Sequence, residues 1–261
     1  MSVLAPFTHA LAAVLAATHS ILTALGADPS AGSTWMLCIA AVVVVVRLAL
    51  LPLVVHGVRQ THAAARARPA LRALTAKYRG RNDLDSLRAL RAERRQIAAE
   101  HRLSRWGALA TLAQVPVWLA LYDVLRSVAG GVPLGAVGAA LVASLGAATV
   151  LGVPLVQRGY LGGGAAHLLL AAGLALTAAT LAYLTQRFFV APNTVLSDLP
   201  DAIARAHQFM PALSALGMLL AGCVAPLALL VYWVCNSTWT LAQSAIVCRW
   251  FPTPGSPAAA G

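Results

Sequence analysis

The sequence predicts an all-α integral membrane protein: a five-transmembrane-helix bundle with a cytoplasmic helical hairpin and an N-terminal interfacial amphipathic helix. Three observations predict it. Hydrophobic residues make up 59% of the chain and charged residues 10%, against roughly 45–50% and 25% in an ordinary soluble domain, so no water-soluble fold would hide the apolar excess. Several apolar stretches reach the roughly 20 residues that cross about 30 Å of hydrocarbon. The net charge of +11 is concentrated: thirteen of the nineteen Lys and Arg lie between Val58 and Arg105, against only Asp83, Asp85, Glu93 and Glu100. Loops this short follow the positive-inside bias, which sets the segment in the cytoplasm and orients the spans on either side.

Residues 1–34 form the first unit. Val3, Leu4, Phe7, Leu11, Val14, Leu15, Ile21, Leu22 and Leu25 fall on one stripe of a 3.6-residue helix, with Ser2, Thr8, His9, His19 and Ser20 opposite. A helix surrounded by lipid needs no polar face, so the pattern predicts a helix lying in the external interface. Gly26–Thr34 reads as a turn and Trp35 as an interface anchor. The first span covers 35–57 and carries Arg47 at mid-depth. The basic segment 58–105 is expected as a helical hairpin broken at Gly80–Asp85, where Gly, Asn and Asp supply turn chemistry and a helix start.

Further spans follow at 106–128 and 165–189. The stretch from Phe209 to Val247 is long enough for two tightly connected spans, 209–225 and 226–248, divided at Pro226. Residues 129–164 are Gly-rich and apolar, and within them 134–156 has the length of a span diluted by Gly135, Gly138, Gly146 and Gly152. Keeping 134–156 outside, as a re-entrant or interfacial segment, brings Arg187, Arg205 of the 190–208 loop and Arg249 of the 249–261 tail into the cytoplasm, as the charge bias prefers. The N-terminus is then outside and the C-terminus cytoplasmic, in a bacterial cell membrane. The first 25 residues hold no Lys or Arg, so neither a cleaved signal nor a lipid-attachment cysteine is expected. Cys38, Cys223, Cys235 and Cys248 sit at apolar stretches without ligand spacing and read as reduced packing residues.

Arg47 is the strongest single signal. A charge at the bilayer centre costs about 2.5–3.5 kcal/mol on the translocon scale, and such residues face protein or a water-filled cavity. Pairing with a buried acid is the plain alternative, but the acids near spans, Asp28 and Asp123, fall toward the outer face. On the last span Tyr232, Asn236, Trp239 and Gln243 follow helical spacing as one polar-aromatic stripe, and on the second span Thr111 and Gln114 share a face. Two readings stay open for them: lining one pocket with Arg47, or interhelical hydrogen bonds worth about 0.6 kcal/mol each.

The hairpin cations Arg59, Arg66, Arg72, Lys77, Arg79, Arg91, Arg94 and Arg95 also carry two readings. They fix topology and touch anionic head groups, at about 1 kcal/mol each, or they dock acidic substrate segments, ribosomal RNA or partner proteins. There is no His-Glu-x-x-His, no Gly-x-Ser-x-Gly, no phosphate loop and no pair of intramembrane carboxylates. No catalytic residue, cofactor or metal site is therefore expected, and no DNA partner.

The run VVVVVRLALLPLVVHGVRQ, Val42 to Gln60, resembles the first core helix of the YidC family of membrane protein insertases, relatives of the mitochondrial Oxa and chloroplast Albino insertases. That family has a mid-membrane arginine followed by Leu-Pro and a basic hairpin. LAQVPVWLALYDVL, Leu112 to Leu125, is similar to its second core helix. APLALLVYWVCNSTWTLAQ, Ala225 to Gln243, is similar to the Pro, Leu, Tyr-Trp and Asn signature of its last span. The resemblance covers roughly Trp35 to Arg249, and the three blocks in this order are specific where each alone is weak.

The resemblance implies an insertase and chaperone that moves client transmembrane segments from cytoplasm into the bilayer without ATP. A hydrophilic groove formed by Arg47, Thr111, Gln114, Tyr232, Trp233, Asn236 and Gln243 would receive the client, with Arg47 attracting its acidic residues and the first and last spans guiding its apolar helix. Nascent membrane proteins and the bilayer are the implied partners, with the ribosome through the basic hairpin, the Sec translocon and signal recognition components as further candidates. Two departures stand out: the Gly-rich 130–164 stretch, and a tail after Arg249 that is short and nearly uncharged, so ribosome contact is expected on the hairpin and the 190–208 loop. The competing reading is a small transporter or channel with Arg47 as an anion-binding residue. It predicts inverted repeats, and none is visible. A third reading, an assembly factor that only packs partner helices, would tolerate loss of the Arg47 charge.

Overall fold

The computed structural model describes residues 5–81, 83–104, 114–161, 163–195 and 205–259. Helices account for nearly every apolar stretch among them: α1 (Ala5–Ala24), α2 (Gly32–Ala49), α3 (Leu51–Lys77), α4 (Leu84–Glu100), α5 (Gln114–Ala129), α6 (Ala139–Ala147), α7 (Gly164–Leu184), α8 (Met210–Gly222) and α9 (Leu227–Trp250). A wider π turn, Thr185–Val190, prolongs α7. By length and composition α1, α2 and α7 with its extension are each able to cross a membrane. Helix α9 has the length, at 24 residues, but Asn236, Thr238, Thr240 and Gln243 dilute its second half.

Helix α9 is the axis of the bundle and packs against α2, α5, α7 and the π turn. Its first seven residues, Leu227 to Trp233, are all buried. Helix α7 meets it and α8 through small side chains: Ala171, Ala175, Ala178 and Ala179 recur on one face and are buried. Small residues at that spacing let helix backbones approach closely.

The expected first span, 35–57, is not one helix. Helix α2 ends at Ala49 and α3 begins at Leu51. Pro52 has no N–H to donate to the carbonyl one turn back, so the ladder is interrupted there. Leu50 nevertheless keeps right-handed helical angles (φ −84°, ψ −6°) and accepts from Val54 N–H at 3.1 Å, so the interruption is a kink and α3 continues into the basic segment. Helix α3 ends at Lys77 and α4 begins at Leu84, so the break opens slightly earlier than the expected Gly80–Asp85. Gly80 takes φ +80°, and the Asp83 carboxylate caps α4 by accepting from Ser86 N–H at 2.8 Å. Helices α3 and α4 pack together, pinned near the turn by Lys77 Nζ and the Tyr78 hydroxyl, which donate to Glu93 Oε1 at 2.7 and 2.8 Å.

Helix α1 departs from expectation in which face it buries. Leu11 and Leu15 meet Ile39 and Val42, but Thr8 and His19, expected on a water-facing side, are buried on that same face. The helix packs along α2 and α5, and its polar groups are satisfied inside the protein: His19 Nε2 lies 3.0 Å from the Pro29 carbonyl oxygen. Trp35 is likewise no interface anchor. It is 1% exposed, its ring lies 4.9 Å from that of His19, and its Nε1 donates to Ser144 Oγ of α6 at 3.1 Å.

The 129–164 stretch contains α6, whose nine residues rise about 14 Å at 1.5 Å each, too short to cross hydrocarbon. After it, strands β1 (Thr149–Val150) and β2 (Val153–Pro154) pair antiparallel. Leu151 and Gly152 form the two-residue turn, both at positive φ (51° and 78°), as such turns require. The chain then runs back along the start of α9. Leu227 and Ala228 donate their N–H groups to the carbonyls of Gln157 and Leu155, each at 2.9 Å. These carbonyls satisfy amides that a helix start leaves without intrahelical partners.

At the other end of α9 the tail folds back instead of trailing away. Thr253 N–H donates to Asn193 Oδ1 at 2.6 Å, Ala258 N–H to the Pro192 carbonyl at 3.0 Å, and His62 Nε2 of α3 lies 3.0 Å from the Phe251 carbonyl oxygen.

Candidate functional site

Arg47 stands in the last turn of α2, one turn before the kink, and faces α9. Only 9% of it is exposed. Its Nε and Nη2 both donate to Asn236 Oδ1, at 3.2 and 2.7 Å, and Nη2 donates also to Thr240 Oγ1 at 2.7 Å. Asn236 and Thr240 are four residues apart, so one face of α9 presents both acceptors. The Thr240 hydroxyl donates in turn to the Asn236 carbonyl at 2.8 Å. Each of these acceptors is neutral. Among the described residues the ion pairs are Lys77–Glu93 and Arg88–Asp85, both on the basic hairpin, so no carboxylate answers the Arg47 charge there.

The structure thus joins Arg47 to Asn236, two of the residues singled out in the sequence. Tyr232, one turn before Asn236, is 4% exposed and belongs with Trp233, at 7%, to the hydrophobic core. Gln243 lies about two turns beyond Asn236 and accepts from Trp239 Nε1 at 3.1 Å, on the rim of a different feature. Thr111 and the side chain of Gln114 lie outside the described residues. Thr240 was missed, although its place four residues after Asn236 on an already polar stripe was a usable signal.

The different feature is a groove of about 580 Å³ between the start of α3 and the end of α9. Leu51, Val54, Val55 and Val58 form one wall and Ala242, Ile246, Val247 and Phe251 the other, with Trp239, Gln243, Arg59 and His62 at its edges. Beyond it the hairpin presents Arg66, Arg72, Arg79, Arg91, Arg94 and Arg95 as exposed side chains. Lys77 is exposed too, and pairs with Glu93. That pair holds the Glu93 carboxyl below the usual carboxylate range, chiefly through the hydrogen bond from Lys77, and holds the Lys77 ammonium above its ordinary value.

Buried guanidinium, uncharged partners among the described residues and an adjoining aliphatic groove define a helical membrane protein with an internal cation set between two of its helices. The chain belongs to the 60Kd inner membrane protein family, whose model matches residues 27–254. It is not a family of enzymes in the catalytic sense. Among similar proteins, one from Streptomyces avermitilis is 28% identical over 95% of this chain and 58% of its own length. A second, from Bifidobacterium longum, is 24% identical over 95% of this chain and 75% of its own length, and a third, from Corynebacterium efficiens, is 28% identical over 92% and 66%. All three carry the name membrane protein insertase YidC. This chain therefore spans little more than half the length of the Streptomyces relative. The family resemblance read from Val42–Gln60, Leu112–Leu125 and Ala225–Gln243 is borne out.

Proposed function

We propose that this protein is a membrane protein insertase that moves client transmembrane segments from the cytoplasm into the bilayer without ATP, using the charge of Arg47 to draw in acidic residues of the segment that must cross. The observation that carries the proposal is the Arg47 guanidinium, buried and bonded, among the described residues, to the neutral Asn236 and Thr240 alone. A buried charge without a counter-charge is costly, and an incoming carboxylate would offset that cost while its own passage became cheaper. The aliphatic groove between α3 and α9 offers the client's apolar helix a wall to lie on beside Arg47. Exposed arginines on α3 and α4 suit docking of the ribosome. The Sec translocon and signal recognition components remain candidate partners on family grounds. In this reading α3 and α4 face the cytoplasm, α6 and the β-hairpin face outward, and the chain passes the membrane five times.

The test is insertion of a small single-span client with an acidic external tail, in cells depleted of their own insertase and supplied with wild-type, Arg47→Lys or Arg47→Ala protein. Wild type and Arg47→Lys are expected to support insertion, and Arg47→Ala to reduce it by about tenfold or more, the equivalent of one charge-assisted contact. An inactive wild type would sink the insertase reading, and a fully active Arg47→Ala would sink the role of the charge.

A further inference from the structure

A guanidinium has five N–H donors and grips a carboxylate most firmly with two parallel hydrogen bonds, from either its Nε–Nη2 edge or its Nη1–Nη2 edge. In this structure Nε and one Nη2 hydrogen are given to Asn236 Oδ1, and the second Nη2 hydrogen to Thr240 Oγ1. Both edges therefore lack a free Nη2 donor. Among the described residues, Nη1 makes no hydrogen bond. The Thr240 hydroxyl has given its own hydrogen to the Asn236 carbonyl, so towards Arg47 its oxygen can only accept. Asn236 offers an amide where a carboxylate would have bound the same edge and cancelled the charge.

Resting on the reading of Arg47 as the client's electrostatic contact, we propose that Asn236 and Thr240 are positioning residues that blunt Arg47. They hold its Nε–Nη2 edge, keep its charge intact, and leave Nη1 to meet one oxygen of a client carboxylate. A single-oxygen contact is weaker than a two-pronged one. That suits a site from which the acidic segment must leave again as the client's apolar helix passes into lipid. Neither residue needs to touch the client.

The test uses the full-length protein in membrane vesicles and two clients, one with an acidic tail and one whose tail acids are replaced by Asn and Gln. Insertion rate and the lifetime of a site-specific crosslink between client tail and groove are both read. Asn236→Asp places a carboxylate on the Nε–Nη2 edge, and is expected to slow the acidic client about tenfold, to the level of Arg47→Ala, while sparing the neutral one. Thr240→Val releases an Nη2 hydrogen, completes the Nη1–Nη2 edge, and is expected to lengthen the acidic client's crosslink lifetime about tenfold. Thr240→Ser, which keeps the hydroxyl, is expected to match wild type.

If Arg47→Ala is defective with the acidic client while Asn236→Asp and Thr240→Val behave as wild type, the blunting is wrong and the charge reading survives. If Arg47→Ala is harmless to that client, the charge reading fails and takes the blunting with it. Equal slowing of both clients by the Asn236 and Thr240 variants would reduce these residues to structural support and overturn the proposal. Should Asn236→Asp not accumulate, Thr240→Val against Thr240→Ser decides alone.

Discussion

At Gly32 the first turn of α2 passes so close to the β-hairpin that an added Cβ would collide with the Thr149 carbonyl oxygen. Backbone cannot swing aside as a side-chain end can. Gly32→Ala is therefore expected to destabilise the protein by about 1–3 kcal/mol, the cost of forcing atoms into a packed site. Gly138→Ala, where nothing lies within 4 Å, is expected to cost a fraction of that. Thermal unfolding in detergent compares the two, and equal midpoints would show that the hairpin does not cover α2 as described. Trp35, three residues on, illustrates what a sequence window hides. Tryptophan beside a turn at a span's end fits a membrane interface and a buried hydrogen-bonded site equally, and the deciding partner, Ser144, is 109 positions away. Asn236 was readable because Arg47 demands acceptors and α9 shows a polar stripe. No local pattern told that stripe's members apart, and the structure gives them different partners: Asn236 bonds Arg47, Gln243 bonds Trp239, and Tyr232 is buried in the core within electrostatic reach of Arg47.

Among elements, the α3–α4 hairpin was the most legible, because Gly80 and the capping Asp83 act within a few residues of themselves. Its fastening responds to pH in a defined way. The Glu93 carboxyl is lowered, chiefly by the hydrogen bond from Lys77, so its contribution is present above the ordinary carboxylate value and is lost as pH falls through the lowered one. The Lys77 ammonium is raised, chiefly by Glu93, so its contribution is complete below the ordinary lysine value and lost as pH rises through the raised one. The turn is expected to be tightest between the two ranges. Amide exchange at Tyr78–Gly80, compared at equal intrinsic rate, should show protection falling with acid in wild type and staying flat in Glu93→Gln. A flat wild-type profile would remove the pair from any account of the turn. Helix α1 was harder to read, since periodicity reports that a helix has two faces and not which one the protein claims. With α2 and α5 available, Leu11 and Leu15 were worth burying even with Thr8 and His19 beside them. The kink before Pro52 lay between these cases: proline announces an interrupted ladder, but apolar residues on both sides made a single helix look continuous.

For the molecule as a whole, α9 joins α2, α5 and α7, and its two ends are held differently. One end is tied by side chains and tail contacts, Asn193 to Thr253 and His62 to Phe251. The other is held by main-chain hydrogen bonds from Leu227 and Ala228 to Gln157 and Leu155, a pairing that no residue-type signal advertises and that sequence reasoning passed over. Because backbone atoms make that join, side-chain substitutions at 155–157 leave its donors and acceptors in place. The same two amides also act as a clock. Held against the bundle, they trade hydrogen for deuterium only when the 155–159 segment lifts away, so their exchange rate counts how often that end of the protein opens. Slow exchange would mean that this end stays closed at rest, and if it quickens when a client of the proposed insertase is added, the opening belongs to that proposed activity; exchange as fast as at a frayed helix end would mean the end stands open at rest.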